Sequence, residues 1–117
     1  MEKDNLVYLQ QIRDYINDIE KYIGDENLVE FEKDIKLQDA VLRKLSLIGE
    51  AARRFDERFW DKYRDELPLA EAVATRNKLI HDYDDIDLRI VWNTVKKDLP
   101  ELRRRIEVIV EDRLIGR

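Results

Sequence analysis

The sequence predicts an all-α fold: an antiparallel up-and-down bundle of four to five helices, with residues 1–117 forming one domain. Three observations predict it. Apolar residues recur at alternating steps of three and four along most of the chain, the rhythm of helices with one buried face. The 117 residues include only three Gly and two Pro, too few for a loop-rich or all-β protein. Charged residues make up 42 % and hydrophobic residues 44 %, which suits long helices with one solvated face and one packed face. No segment carries a strand signal of comparable strength.

The first helix is expected from about Asp4 to Ile23. Leu9, Ile12, Ile16, Ile19 and Ile23 form its apolar stripe, and Tyr8, Tyr15 and Tyr22 flank it with rings tucked in and hydroxyls wet. Asp4 is a plausible N-cap, and Gly24 stands where a left-handed C-terminal cap belongs. The second helix is expected from about Asp34 to Phe59, with Val41, Leu45, Ile48, Ala52, Phe55 and Phe59 in phase. Gly49, Ala51 and Ala52 are small, so a neighbouring helix can approach closely there. Gln38 and Glu50 lie close to this apolar face. A third helix should start at Pro68, a residue favoured in a first turn, and end between Ile80 and Tyr83. The acidic stretch 82–87 reads as a loop capping a helix that starts near Leu88. The phase of that helix (Leu88, Val91, Val95, Leu99, Leu102, Ile106, Ile109) runs across Pro100. A new helix capped by Asp98, with Glu101 as reciprocal partner, is preferred there over a kink.

Composition narrows the function. The chain has no Cys, so disulfides and thiolate metal sites are excluded and a reducing, cytoplasmic setting fits. No apolar run approaches the ~18 residues of a membrane span, and the polar start of the chain is unlike a secretory signal. The net charge of −5 counts against non-specific coating of nucleic acid, although Arg53-Arg54, Arg58 and Arg103-Arg104-Arg105 form local clusters. A solvated helix face is the ordinary explanation of such clusters. Neither a His/Cys cluster, a calcium loop nor a glycine-rich phosphate loop is present, so no metal or cofactor is expected.

The chemistry concentrates in Arg76-Asn77-Lys78-Leu79-Ile80-His81-Asp82-Tyr83, which holds the only His of the chain. A guanidinium grips a phosphate with two parallel hydrogen bonds. Imidazole moves a proton near neutral pH. Asn77 and His81 are i,i+4 on one helix face, which places Asn77 to fix the imidazole tautomer. Arg76 and His81 are about 140° apart on an ideal helix, so they meet at one substrate only through the reach of Arg and the fraying helix end. Arg plus His without metal suits RNA cleavage by the 2′-hydroxyl, with imidazole for the proton steps and Arg for the developing charge. A general base and a general acid make two groups, and one chain has one His. A two-fold dimer would supply two His81 and two Arg76 to one cleft. From spacing alone an Arg-x4-His is a weak signal that many helices carry by chance, and the ordinary reading is a surface ion pair at Arg76 and a helix-end cap at His81.

Three segments together are more specific. Gln38-Asp39-Ala40-Val41 with Ile48-Gly49-Glu50-Ala51, the Arg-x4-His-x-Tyr string, and Ile86-Asp87, Val91-Trp92, Asp98-Leu99-Pro100 follow in order over roughly residues 4 to 110. In these the chain resembles the HEPN superfamily, specifically the HepT-like toxins of HEPN/minimal-nucleotidyltransferase toxin–antitoxin pairs. The resemblance implies an all-α homodimer and a metal-independent ribonuclease. It makes Arg76 and His81 catalytic, Asn77 the supporting polar residue, and Tyr83 the residue to which the antitoxin attaches AMP. Relatives often carry Trp after the Pro and Gly two places before the Arg, where this chain has Leu69 and Ala74. A second reading, slightly favoured by the net charge, is a non-catalytic nucleotide-binding helical partner of a minimal nucleotidyltransferase.

Overall fold

Helix after helix builds the protein, and no strand occurs among the described residues. The structure, a computed structural model, describes residues 2–114, with side chains at 4–82 and 84–112. The elements are α1 (Glu2–Ile23), α2 (Leu28–Lys33), α3 (Ile35–Arg53), α4 (Glu57–Tyr63), α5 (Leu69–His81), a 3-10 turn (Tyr83–Asp85), α6 (Leu88–Asn93), a π-helical turn (Thr94–Asp98) and α7 (Leu99–Leu114).

The apolar stripes do what their spacing demands. Leu9, Ile12, Ile16, Ile19 and Ile23 are all buried, as are Val41, Leu45, Ile48 and Ala52 of α3 and Ile106 and Ile109 of α7, in one continuous core. Each large aliphatic side chain removed from water contributes about 1.5–3 kcal/mol, far more than helix propensity does. Asn5 bonds Asp56 while Lys44 pairs with Asp18 at 3.0 Å, so α1 and α3 run antiparallel. Of the flanking tyrosines, Tyr8 and Tyr15 are half-buried, but Tyr22 is exposed. Gly24 ends α1 with φ +51°, a conformation that costs glycine little.

Three expectations need correction, and one helix has no counterpart in the sequence reading. Asp4 lies inside α1, which starts at Glu2, so it is not the cap. The segment before Asp34 forms a short helix, α2, held by a capping box in which Asn27 accepts from the Glu30 N–H and Glu30 accepts from the Asn27 N–H. The helix expected to reach Phe59 stops at Arg53. Asp56 ends it by capping α4: its Oδ1 accepts the Phe59 N–H at 2.9 Å, and Asn5, buried in α1, brackets it with two hydrogen bonds. Those bonds hold the Asp56 carboxyl below its usual pKa, the Phe59 N–H first and the Asn5 side chain second. Phe55 and Phe59 still stack, ring centroids 4.3 Å apart, so the apolar rhythm passes through the break unchanged.

The third correction concerns Pro100. The chain stays helical there. Proline lacks an N–H, and its ring crowds the carbonyl four residues back. The π turn before it widens the coil, and the Leu99 N–H reaches back to the Thr94 carbonyl. Asp98 starts no new helix. Glu101 pairs forward instead, with its carboxylate taking Arg104 at 2.7 and 3.0 Å and Arg105 at 3.1 Å. Arg105 also donates to the Glu66 carbonyl, tying α7 to the α4–α5 connection.

The hydrogen bonds from Arg104, then Arg105, pull the Glu101 pKa from 4.5 to about 2. A carboxyl depressed by folding adds stability that is complete above the unfolded value and is lost as pH falls through the folded one. Wild type should therefore lose melting temperature between pH 4.5 and about 2 more steeply than Glu101→Gln. Thermal melts across that range check this, and parallel curves would remove the carboxylate from the acid limb.

Candidate active site

The Arg76–Tyr83 string occupies the end of α5 and the turn after it. This helix starts after Pro68 and is closed by the Asp82 N–H bonding the Lys78 carbonyl at 2.8 Å. Its apolar contact is thin: Leu69 and Leu79 are buried, and Ala72 and Val73 are half-buried. What seats it is Gly49. A Cβ at that position would overlap the Arg76 Cβ and lie 2.5 Å from the Ala72 carbonyl oxygen. The close helix approach expected from the small residues of α3 is thus real, and Arg76 is the side chain that lies across it.

Arg76 is largely covered, with a fifth of its side chain exposed. Its Nε lies 2.9 Å from Glu50 Oε2, but the N–H is not aimed at that oxygen, so the contact is an ion pair without an aligned hydrogen bond. Nη1 donates to Asn77 Oδ1 at 2.9 Å. Asn77 therefore turns to Arg76, and no hydrogen bond joins it to His81 among the described residues. The i,i+4 geometry allowed the contact with His81, but the charge of the adjacent guanidinium attracts the amide oxygen more strongly. His81 is exposed on the last residue of α5, within one and a half helical turns of Arg76. The side chain of Tyr83 lies outside the described residues; its backbone opens the 3-10 turn that follows.

Glu50 is the neighbour that sequence spacing located without a role. It accepts Arg76 and also lies 3.6 Å from Arg53 Nη1. Gln38, the other polar residue flagged on that face, is structural. Its Nε2 donates to the Phe31 and Glu32 carbonyls and closes α2. A half-exposed ion pair such as Glu50–Arg76 is worth only about 0–1 kcal/mol, so an incoming phosphate can displace the carboxylate.

Two cavities, of about 520 and 110 Å³, border α5, and neither is lined by Arg76, Asn77 or His81. Asn77 and His81 are exposed, and Arg76 is half-buried beside Glu50. Among the described residues no group of three or more His, Asp or Glu is placed to hold a metal ion. No helix is long and apolar enough to cross a membrane.

The bundle is all-α, and Arg76, Asn77 and His81 lie within the last six residues of α5. The family model described as ribonuclease HepT-like matches residues 12–109, and the chain belongs to that family. It is 36% identical over 107 residues to a protein of Thermococcus cleftensis named "Probable ribonuclease HepT", covering 92% of this chain and 96% of that one. It is 38% identical over 112 residues to the Methanocaldococcus jannaschii "Gamma-glutamylcyclotransferase and putative RNase MJ0434", covering 96% of this chain but only 50% of the relative, so it spans half that protein's length. A third relative, "Putative RNase MJ0125" of the same organism, is 33% identical over 111 residues, with 95% of both chains covered. No solved structure matches the chain.

Proposed function

We propose that this protein, a single HEPN-like domain over residues 1–117, is a metal-independent endoribonuclease toxin acting as a homodimer in the cytoplasm. A minimal nucleotidyltransferase antitoxin silences it by attaching AMP to Tyr83. Arg76 binds the scissile phosphate and stabilises the charge that builds on it. His81 moves the proton, as base toward the 2′-hydroxyl or as acid toward the leaving oxygen. Asn77 acts through Arg76, fixing the guanidinium plane, rather than through His81.

The observation that carries this reading is a braced guanidinium on the same helix end as an exposed imidazole. Arg76 is held by Asn77 and a weak Glu50 pair five residues before the one His of the chain. Asn77 and His81 are exposed and the motif lies outside both cavities, which suits a cleft completed by a second copy. That copy would also supply the second imidazole. AMP on Tyr83 would put an anionic phosphodiester and a bulky base near the motif, competing with RNA for Arg76.

The test is cleavage of single-stranded RNA and the matching DNA by purified, unmodified protein in EDTA. RNA alone should be cut, leaving 2′,3′-cyclic phosphate ends, because DNA lacks the attacking hydroxyl. Equal cutting of both, or none of either, overturns the nuclease reading. Intact mass after co-expression with the nucleotidyltransferase is the second arm. AMP units should appear on wild type and be absent from Tyr83→Phe.

A further inference from the structure

Arg53 is the last residue of α3, and its side chain is about half exposed (47%). It shares a single acceptor with Arg76. Glu50 Oε2 lies 2.9 Å from Arg76 Nε and 3.6 Å from Arg53 Nη1. Two permanent cations thus converge on one carboxylate oxygen whose side chain is itself a third exposed (37%). The trio keeps an uncompensated positive charge at the surface of a chain whose net charge is −5. The overall charge repels nucleic acid, and a local cationic pair is what RNA needs.

The order along the surface follows from helix packing. Gly49 faces Ala72 and Arg76, while Leu45, one turn earlier on α3, shares one cavity wall with Thr75, Lys78 and Leu79. α3 and α5 are therefore antiparallel. Arg53, one turn after Gly49, lies on the side of Arg76 away from His81. A strand whose scissile phosphate sits at Arg76, with His81 on one side, runs past Arg53 on the other. Guanidinium forks fit carboxylate and phosphate alike, so a phosphate can take the place Glu50 holds in the free protein.

We propose that Arg53 is a substrate-binding residue, gripping an RNA phosphate beside the one held by Arg76, with Glu50 as the carboxylate that spaces the two arginines until RNA arrives. This rests on the RNA-cleaving reading above and adds a residue to it. A helix-terminal Arg interacting only with the α3 dipole would be structural. Binding separates the two roles.

The experiment is fluorescence anisotropy with a labelled 2′-O-methyl RNA oligonucleotide, which binds but cannot be cut, across a salt series. Arg53→Ala should weaken binding several-fold. It should also reduce the slope of log K against log salt by about 0.7, the loss of one phosphate contact on a single strand. Arg53→Lys should restore the slope. Glu50→Gln should tighten binding by freeing both guanidiniums. With cleavable RNA, Arg53→Ala should raise KM and leave kcat nearly unchanged. Arg53→Ala binding with wild-type affinity and salt slope overturns the clamp, as does failure of wild type to bind the oligonucleotide at all. A lowered slope in a protein that cuts no RNA supports the clamp and removes the nuclease reading instead.

Discussion

His81→Ala lowers the rate of RNA cleavage by about 10²–10⁴-fold, the usual worth of a positioned proton-transfer group, and leaves the melting temperature where it was. The second half of that expectation follows from exposure: His81 ends α5 at the surface, so truncation opens no cavity. Arg76→Ala should cost about 10²–10³-fold, the scale for removing one charge-stabilising donor. Arg76→Lys should recover little of it, because a compact ammonium cannot reproduce a two-pronged fork. Residues acting at one reacting centre are strongly non-additive, so the double variant should be hardly worse than the poorer single one. Initial rates on a fluorogenic RNA, with melts of each variant, check all of this. Wild-type rates in His81→Ala would eliminate imidazole from the mechanism.

The second large effect belongs to a residue that touches no substrate. In an exposed helix Gly→Ala stabilises by about 0.8–1.0 kcal/mol. At Gly49 the sign should reverse. The added methyl overlaps the Arg76 Cβ and sits 2.5 Å from the Ala72 carbonyl. Both obstacles belong to the α5 framework rather than to a mobile side-chain tip, so α5 must move off α3. Overpacking of this kind costs about 1–3 kcal/mol, and each kcal/mol lowers the melting temperature by roughly 4 °C in a chain of this size. The displacement carries the Arg76 guanidinium with it, and a shift near 1 Å is enough to cost about 10²-fold in rate. Gly49→Ala should therefore lose stability and activity together. A rise in melting temperature would contradict the close approach on which the site's geometry depends.

The apolar rhythm marked which faces are buried with few errors, because burial selects residue type directly. It could not mark where helices stop. Phe55 and Phe59 keep the α3 phase and are both buried, yet a cap at Asp56 separates them. The deciding partner, Asn5, is 51 residues away, beyond any local pattern. At Pro100 the opposite happened. Proline is a stop signal in sequence, and a π turn absorbed it, because Val95, Leu99 and Leu102 all stay in the core if the helix continues. The capping box at Asn27 and Glu30 was a readable signal for α2. Within the candidate site, spacing placed Arg76 and His81 on one helix but misjudged Asn77, whose amide turns to its charged neighbour.

By itself the sequence determined the helical class and the identity of the buried faces, and it nominated the eight residues from Arg76 to Tyr83 as the candidate site. Each of these follows from local periodicity or from residue type. Tertiary structure alone decided that Gly49 seats the Arg76 helix and that Arg76 meets the Glu50–Arg53 pair of α3. The physical reason is that these contacts join α3 to α5 across an antiparallel crossing. Which side chains face one another there depends on the register of two packed helices, and no spacing along a single helix encodes it.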